Sequence, residues 1–283
     1  MNNNNQQAPQ INKLFCTRFL PLMGAAITDS IVTYPLYASL IILQNNPHLP
    51  ITQACKNHLK TGIYYGHLDF LKFRLLCRIS AFSSFQLMQA YKLENNLMNN
   101  SICGAISGIT ETLVTNQNNA KNRLTVLNLP HSQKVINNML FSTLIKNSFT
   151  YITLFNMRAI MGPQISNNYN ISLDNAYAIT SAATIMGMQP ITATLDTIGT
   201  IQLKIAHKNP ANSFLKNFHI ALKMAINTPV MQSANIMLFR SICMGASYFI
   251  MDKASSYFVN QSLTFYSNSP CERNSKVAAA SER

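Results

Sequence analysis

Three short stretches of this chain repeat one another at a nearly constant interval: TYPLYASLIILQ from Thr33, VTNQNNAKNRLT from Val114 and ATLDTIGTIQLK from Ala193. Aligned on Pro35, Asn116 and Thr194, they stand 81 and 78 residues apart. Each falls late in a long apolar stretch of helical composition. Self-similarity at a fixed period marks a supersecondary unit used several times, so the chain reads as three copies of one helical hairpin.

Six long segments carry helix-compatible sequence, at 14–44, 69–94, 101–126, 139–162, 173–205 and 219–253. At 1.5 Å of rise per residue, each is long enough to cross about 30 Å of hydrocarbon. The first is followed by Asn45, Asn46, Pro47 and Pro50, which break helices for backbone reasons, and then by the amphipathic stretch ITQACKNHLK. HSQKVINN and ANSFLKN hold the same place later on. Each repeat therefore reads as helix, loop, short helix, helix. The links around Glu94 to Asn100 and Gly162 to Ser172 are short, which makes successive long helices antiparallel. The expected division is a polar tail at 1–13, repeats at 14–98, 99–168 and 169–257, and a polar, disordered tail at 258–283.

The chain is 48% apolar and only 11% charged, with no Trp, too charge-poor for an ordinary soluble protein of this length. The fifth segment nevertheless carries Thr180, Ser181, Thr184, Gln189, Thr192, Thr194, Asp196 and Thr200. In a bilayer such groups must face a protein interior or a wet cavity. The composition thus points to an all-α bundle of six membrane-spanning helices around a polar interior.

A net charge of +13 calls for an anionic partner, either a solute or anionic lipid. The basic residues form no run or arm, which argues against nucleic acid. The six cysteines show no CxxC spacing and no His at metal-ligand intervals, so they read as small hydrophobes, and no metal or cofactor is expected. The six histidines are scattered, and no Ser, His and Asp grouping suggests an enzyme. The opening MNNNNQQAPQ has neither the basic start and apolar core of a secretory signal nor an Arg-rich amphipathic pattern. Any membrane address is expected inside the chain.

Gly24, Gly104 and Gly108 precede the first two motifs, and Ala182 and Ala183 hold the comparable place in the third repeat. Small residues allow close helix approach in a bilayer, and Gly104 with Gly108 forms a GxxxG.

The three motifs resemble worn copies of the mitochondrial carrier signature, Pro-x-Asp/Glu-x-x-Lys/Arg followed by x-Lys/Arg-x-Gln. The first copy keeps Pro35 and Gln44, with Tyr37 at the acidic and Leu40 at the basic position. In the second, Asn116 replaces the proline and Asn118 the acid, while Lys121 and Arg123 remain. In the third, Thr194 stands for the proline, Asp196 is kept, and Gly199 holds the basic position. Pro190 offers a rival register four residues before Thr194. Tyr64-Tyr65-Gly66 and Phe214-Leu215-Lys216-Asn217 resemble the step before each even-numbered helix. The likeness covers roughly 14–253.

The resemblance implies a carrier fold: three pseudo-symmetric hairpins, probing one central site by alternating access, in a monomer of the mitochondrial inner membrane. Its pairing order sets Tyr37 against Lys121, Asn118 against Gly199 and Asp196 against Leu40, so no intact gate ion pair is expected, with Gln44 as a brace. Its substrate positions on even-numbered helices carry over to Arg78, Lys146, Asn147 and Lys223, with Arg74 a rival to Arg78 one turn earlier. Convergent cations of this kind suit a nucleotide such as ATP or ADP, or phosphate. Read without the resemblance, the same residues are snorkelling cations near helix ends. Asp29 and Glu111 face either the cavity or backbone groups. The erosion of the signature and the Asn-rich composition also resemble carrier mimics that intracellular bacteria deliver to host mitochondria. The alternative is a non-transporting helical scaffold with degenerate gates.

Overall fold

The computed structural model describes residues 15–45, 49–61, 67–90, 96–126, 129–130, 132–225, 227 and 234–267. Helices and the short connections between them account for these residues, with no strand among them. After a π-helical turn at Phe15–Phe19 come α1 (Leu20–Asn45), α2 (Ile51–Thr61) and α3 (His67–Ala90). They are followed by α4 (Leu97–Val126), α5 (Gln133–Asn137) and α6 (Leu140–Tyr169), and then by α7 (Leu173–Lys208), α8 (Phe214–Ala225) and α9 (Ala234–Ser267). The long, short, long order read from the sequence thus occurs three times.

Each long helix packs on the next in sequence, and α9 packs on α1, which closes a ring of six. Neighbours run antiparallel. A Cβ on Gly104 would meet the backbone of Ile152, and one on Gly108 that of Ser148, so α4 and α6 touch backbone to backbone along the GxxxG. Gly24 faces the ring of Phe258 between α1 and α9, and Gly245 faces Met186 between α9 and α7. The small residues therefore set the spacing of these helices. Of the short helices, α2 packs on α1, α5 on α4 and α7, and α8 on α7.

Beside its apolar core the ring buries a set of polar and charged side chains, and it exposes apolar stripes. Asp29, Arg74, Arg78, Ser107, Gln189, Arg240, Ser247 and Asp252 are buried, whereas Ile102, Ile106, Ile109 and Leu113 form an exposed stripe at helical spacing on α4. Ile27, Ile31 and Val32 on α1, Ile160 and Met161 on α6, and Leu238 and Ile242 on α9 are exposed in the same way. Several interior hydroxyls bond carbonyls of their own helices. Thr33 donates to Asp29 O at 2.7 Å, Thr112 to Gly108 O at 2.7 Å and Thr180 to Ala176 O at 2.7 Å. The polar set of the fifth segment behaves as expected, with Thr180, Ser181, Gln189 and Thr192 buried. By length and composition alone, one helix among the described residues, at Ala234–Thr264, is apolar enough to cross a membrane.

Three sequence boundaries need correction. The stretch read as one helix over 219–253 is two, α8 and α9, and Pro229 lies in the sequence between them. Proline has no N–H to donate and disfavours helical backbone in the residue before it. Helix α6 does not stop at Gly162 but passes through Pro163 to Tyr169. It ends where Asn170 takes the left-handed conformation at φ 51°, with Ile171 N donating to Ser166 O at 3.2 Å. Helix α9 runs on to Ser267, so the boundary drawn at 257 falls inside a helix. The tail read at 1–13, Tyr64-Tyr65-Gly66 and residues 268–283 lie outside the described residues.

Candidate functional site: three charged levels inside the ring

The interior charges fall into three levels along the bundle. On α9 they are marked by Arg240, Ser247 and Asp252, which helical rise separates by about 10 Å and about 8 Å.

At the middle level, Asp29 of α1 meets two guanidinium groups of α3. Arg78 Nε stands 3.3 Å and Arg74 Nη2 3.5 Å from Asp29 Oδ2. Ser247 Oγ donates to Asp29 Oδ1 at 2.7 Å and accepts from Arg78 Nη2 at 2.6 Å. Arg78 also lies 4.1 Å over the Tyr248 ring, and Arg74 lies 4.3 Å over Tyr37. The rivalry between Arg74 and Arg78 thus has a simple answer, because one turn apart on one face both reach the same carboxylate. Beside them Tyr151 Oη donates to Glu111 Oε2 at 2.5 Å. Leu22, Phe82, Cys103, Phe155, Ile185 and Met251, one from each long helix, join Tyr151 and Tyr248 in an apolar plug against this level. Phe82 sits edge-on to Tyr151 and to Phe155, with ring centroids 6.0 and 6.1 Å apart.

The level nearer the short helices is organised by Asp196 of α7. Arg123 of α4 and Lys146 of α6 each come within 3.0 Å of Asp196 Oδ1, and Arg240 of α9 bonds Oδ2. Arg123 Nη1 also donates to Asp196 O at 2.7 Å and to Thr200 Oγ1 at 2.5 Å. Arg240 Nε donates to Gln189 Oε1 at 2.9 Å. Four helices therefore meet at one carboxylate. At the opposite end, Arg158 of α6 pairs with Asp252 of α9 at 2.7 Å, and Lys253 donates to Asn175 of α7.

This arrangement overturns the expectation that no gate ion pair survives. Asp196 is paired, though with Arg123, Lys146 and Arg240 and not opposite Leu40, which is buried. The partnership of Asn118 with Gly199 does not form either: Asn118 is exposed, while Gly199 packs against Met139 and Ser142 at the start of α6. Tyr37 donates to Met244 Sδ at 2.6 Å, and Lys121 is half-buried on α4. Asn116 is buried on α4, Thr194 donates to Pro190 O at 2.7 Å, and Pro35 and Pro190 both lie within helices. The Gln44 side chain lies outside the described residues.

Among the expected substrate contacts, Lys146 is on the interior and Asn147 donates to Thr112 Oγ1 at 3.1 Å across the α4–α6 seam. Lys223 is a correction: it is exposed on the last turn of the short helix α8 and does not join the interior cations. The third repeat supplies Arg240 instead, a residue the motif alignment passed over. Its signal was in plain view, because a lone Arg inside ANIMLFRSICMG is an ionisable group in an apolar helix, which by default has a functional reason to be there.

The chain matches no protein-family model, no curated protein and no solved structure.

Proposed function

We propose that this chain is a membrane transporter of the mitochondrial carrier type, moving an anionic metabolite through the ring by alternating access. The observation that carries the reading is the interior charge: exposed apolar stripes surround a ring that buries Asp29, Arg74, Arg78 and Arg240 and holds Asp196 beside them. Burying so many ions is expensive in a soluble core and gains nothing there over apolar packing. In a bilayer, the same arrangement faces charge toward a pathway and hydrocarbon toward lipid. The triple long, short, long order, with the motif copies late in α1, α4 and α7, supports the carrier comparison.

A nucleotide such as ATP or ADP is the favoured cargo, with phosphate behind it, because guanidinium and ammonium groups bind phosphate oxygens well. On this reading, all six long helices span the inner mitochondrial membrane, that of a host cell if the chain is one of the secreted carrier mimics. The exposed Lys56, Lys60, Lys134, Lys204, Lys208, Lys216 and Lys223 gather at the short-helix end, where they suit anionic head groups.

Uptake of labelled ATP, ADP and phosphate into liposomes holding the purified chain tests the proposal. Saturable, competable uptake that is lost in Lys146→Ala is the expected result; no uptake of any of the three rejects it. The scaffold reading draws on one observation, that Arg74 and Arg78 are both engaged by Asp29. It predicts a stable chain that moves nothing.

A further inference from the structure

We infer that the transported anion enters this ring as a replacement counterion, taking the place of Asp196 on Arg123, Lys146 and Arg240. Binding and the breaking of the ion pair that joins α6 to α7 are then a single event. The inference rests on the transport reading above and adds where the anion sits and what it displaces.

Three observations lead to it. The first is stoichiometry: three cations share one carboxylate, so the cluster keeps a net charge of +2 with Asp196 in place. The second is access. The side chains of Arg123, Lys146 and Asp196 are 23%, 19% and 16% exposed and that of Arg240 7%, against 9% for Arg74, 2% for Arg78 and 0% for Asp29. An arriving anion meets Arg123 and Lys146 first, while Asp29 and Arg78 are sealed. The third is independent support for the cations. Arg123 is held by Asp196 O and Thr200 Oγ1, and Arg240 by Gln189 Oε1, so both guanidinium groups keep their places when the carboxylate leaves. Such preorganisation lowers the ordering cost of binding.

The chemistry of the donors selects the anion. A single carboxylate offers these cations no more than Asp196 already gives, so a monocarboxylate has no advantage over the resident group. A phosphate or polyphosphate terminus brings two or more negative charges and several acceptor oxygens, and it satisfies two planar forks and an ammonium together. Displaced Asp196 then gives up Lys146, breaking the side-chain ion pair between α6 and α7, while Arg123 and Arg240 stay on α7 through Asp196 O, Thr200 and Gln189.

The test measures ATP binding by the purified full-length chain in detergent, wild type against Asp196→Asn and Asp196→Glu. Removing the resident competitor is expected to tighten ATP binding at least tenfold in Asp196→Asn, with Asp196→Glu close to wild type. Unchanged or weaker binding in a folded Asp196→Asn chain overturns the inference while leaving the transport reading intact. A second measurement needs no variant. On the wild-type chain, apparent affinity should climb at least tenfold from acetate through phosphate to pyrophosphate, and equal affinities overturn the inference. Failure of the wild type to bind ATP, pyrophosphate and phosphate alike defeats the anion-transport reading itself, and the inference with it.

Discussion

Asp29 and Asp196 are both interior carboxylates surrounded by cations, yet they are built for opposite purposes. Asp29 is fully buried, pairs with two arginines of one neighbouring helix, shares Ser247 with them and is backed by an aromatic plug drawn from all six long helices. Asp196 is partly open and is shared by three cations from three different helices. The first arrangement fixes three helices, α1, α3 and α9, together, because a buried ion stripped of its partner is very costly. The second joins four helices through side chains that, Arg240 apart, are partly exposed, so solvent reaches part of the network and lowers the cost of exchanging a partner there. Static and exchangeable electrostatics are thus separated along one bundle.

The largest expected effect comes from breaking the sealed cluster. Arg78→Ala leaves Asp29 with Arg74 as its remaining ion-pair partner, beside the Ser247 and Thr33 hydroxyls, and is expected to cost up to about 3–5 kcal/mol. Its unfolding temperature in detergent should fall well below that of Arg123→Ala, since Asp196 keeps Lys146 and Arg240 when Arg123 is lost. Equal losses in the two variants would erase the distinction between the clusters.

Next in size is the seam that positions two of the exchangeable cations. Arg123 lies on α4 and Lys146 on α6, and these helices meet with the Gly104 and Gly108 backbones against Ile152 and Ser148. Gly108→Leu must push the helices apart, at an expected cost of at least about 1–3 kcal/mol. Uptake in this variant should fall further than in a surface variant of equal stability, because the distance from Arg123 to Lys146 is set there. A Gly108→Leu chain as stable as wild type would mean that the two backbones do not touch.

A smaller change in stability, with a large one in function, is expected for Lys146→Ala. The ion pair is partly exposed, so its loss should change stability by about 0–1 kcal/mol. A charge-assisted bond to the cargo contributes about 1.5–3 kcal/mol, so uptake should drop roughly tenfold or more. Were Arg74→Ala to abolish uptake while Lys146→Ala left it intact, the cargo would belong at the middle level.

Much of this architecture was legible in the sequence because repetition and helix periodicity are local. Pro35, Asn116 and Thr194 set the triplication, the short amphipathic stretches fell where α2, α5 and α8 lie, and Gly104 with Gly108 marked a helix seam. What could not be read was partner choice. Asp196 finds Lys146 and Arg240 on helices 50 and 44 residues away, a fact of three-dimensional convergence that no signature spacing encodes. Counting by motif also favoured Lys223, in register by sequence but stranded on a short helix, over Arg240, the cation that faces inward. Helix ends were misplaced at a proline too: Pro163, which suggests a stop near Gly162, is accommodated within α6.

The comparison can be sharpened at the point where the two clusters are mechanically joined. On α7, Ile185 belongs to the apolar plug and Asp196 to the open cluster, and between them lie Gly187 and Pro190. Proline deprives the carbonyl of Met186 of its intrahelical partner, and glycine is the least rigid residue a helix can hold. This short stretch is the natural place for the two levels to move independently. A Cβ on Gly187 meets nothing within 4 Å, so Gly187→Ala has room. Helix propensity and the reduced freedom of the unfolded chain then favour the variant by about 0.4–1 kcal/mol. We expect a small rise in unfolding temperature accompanied by a severalfold fall in uptake, stability and activity moving in opposite directions. If uptake is unchanged, α7 moves as a rigid rod, and the sealed and exchangeable clusters must shift together.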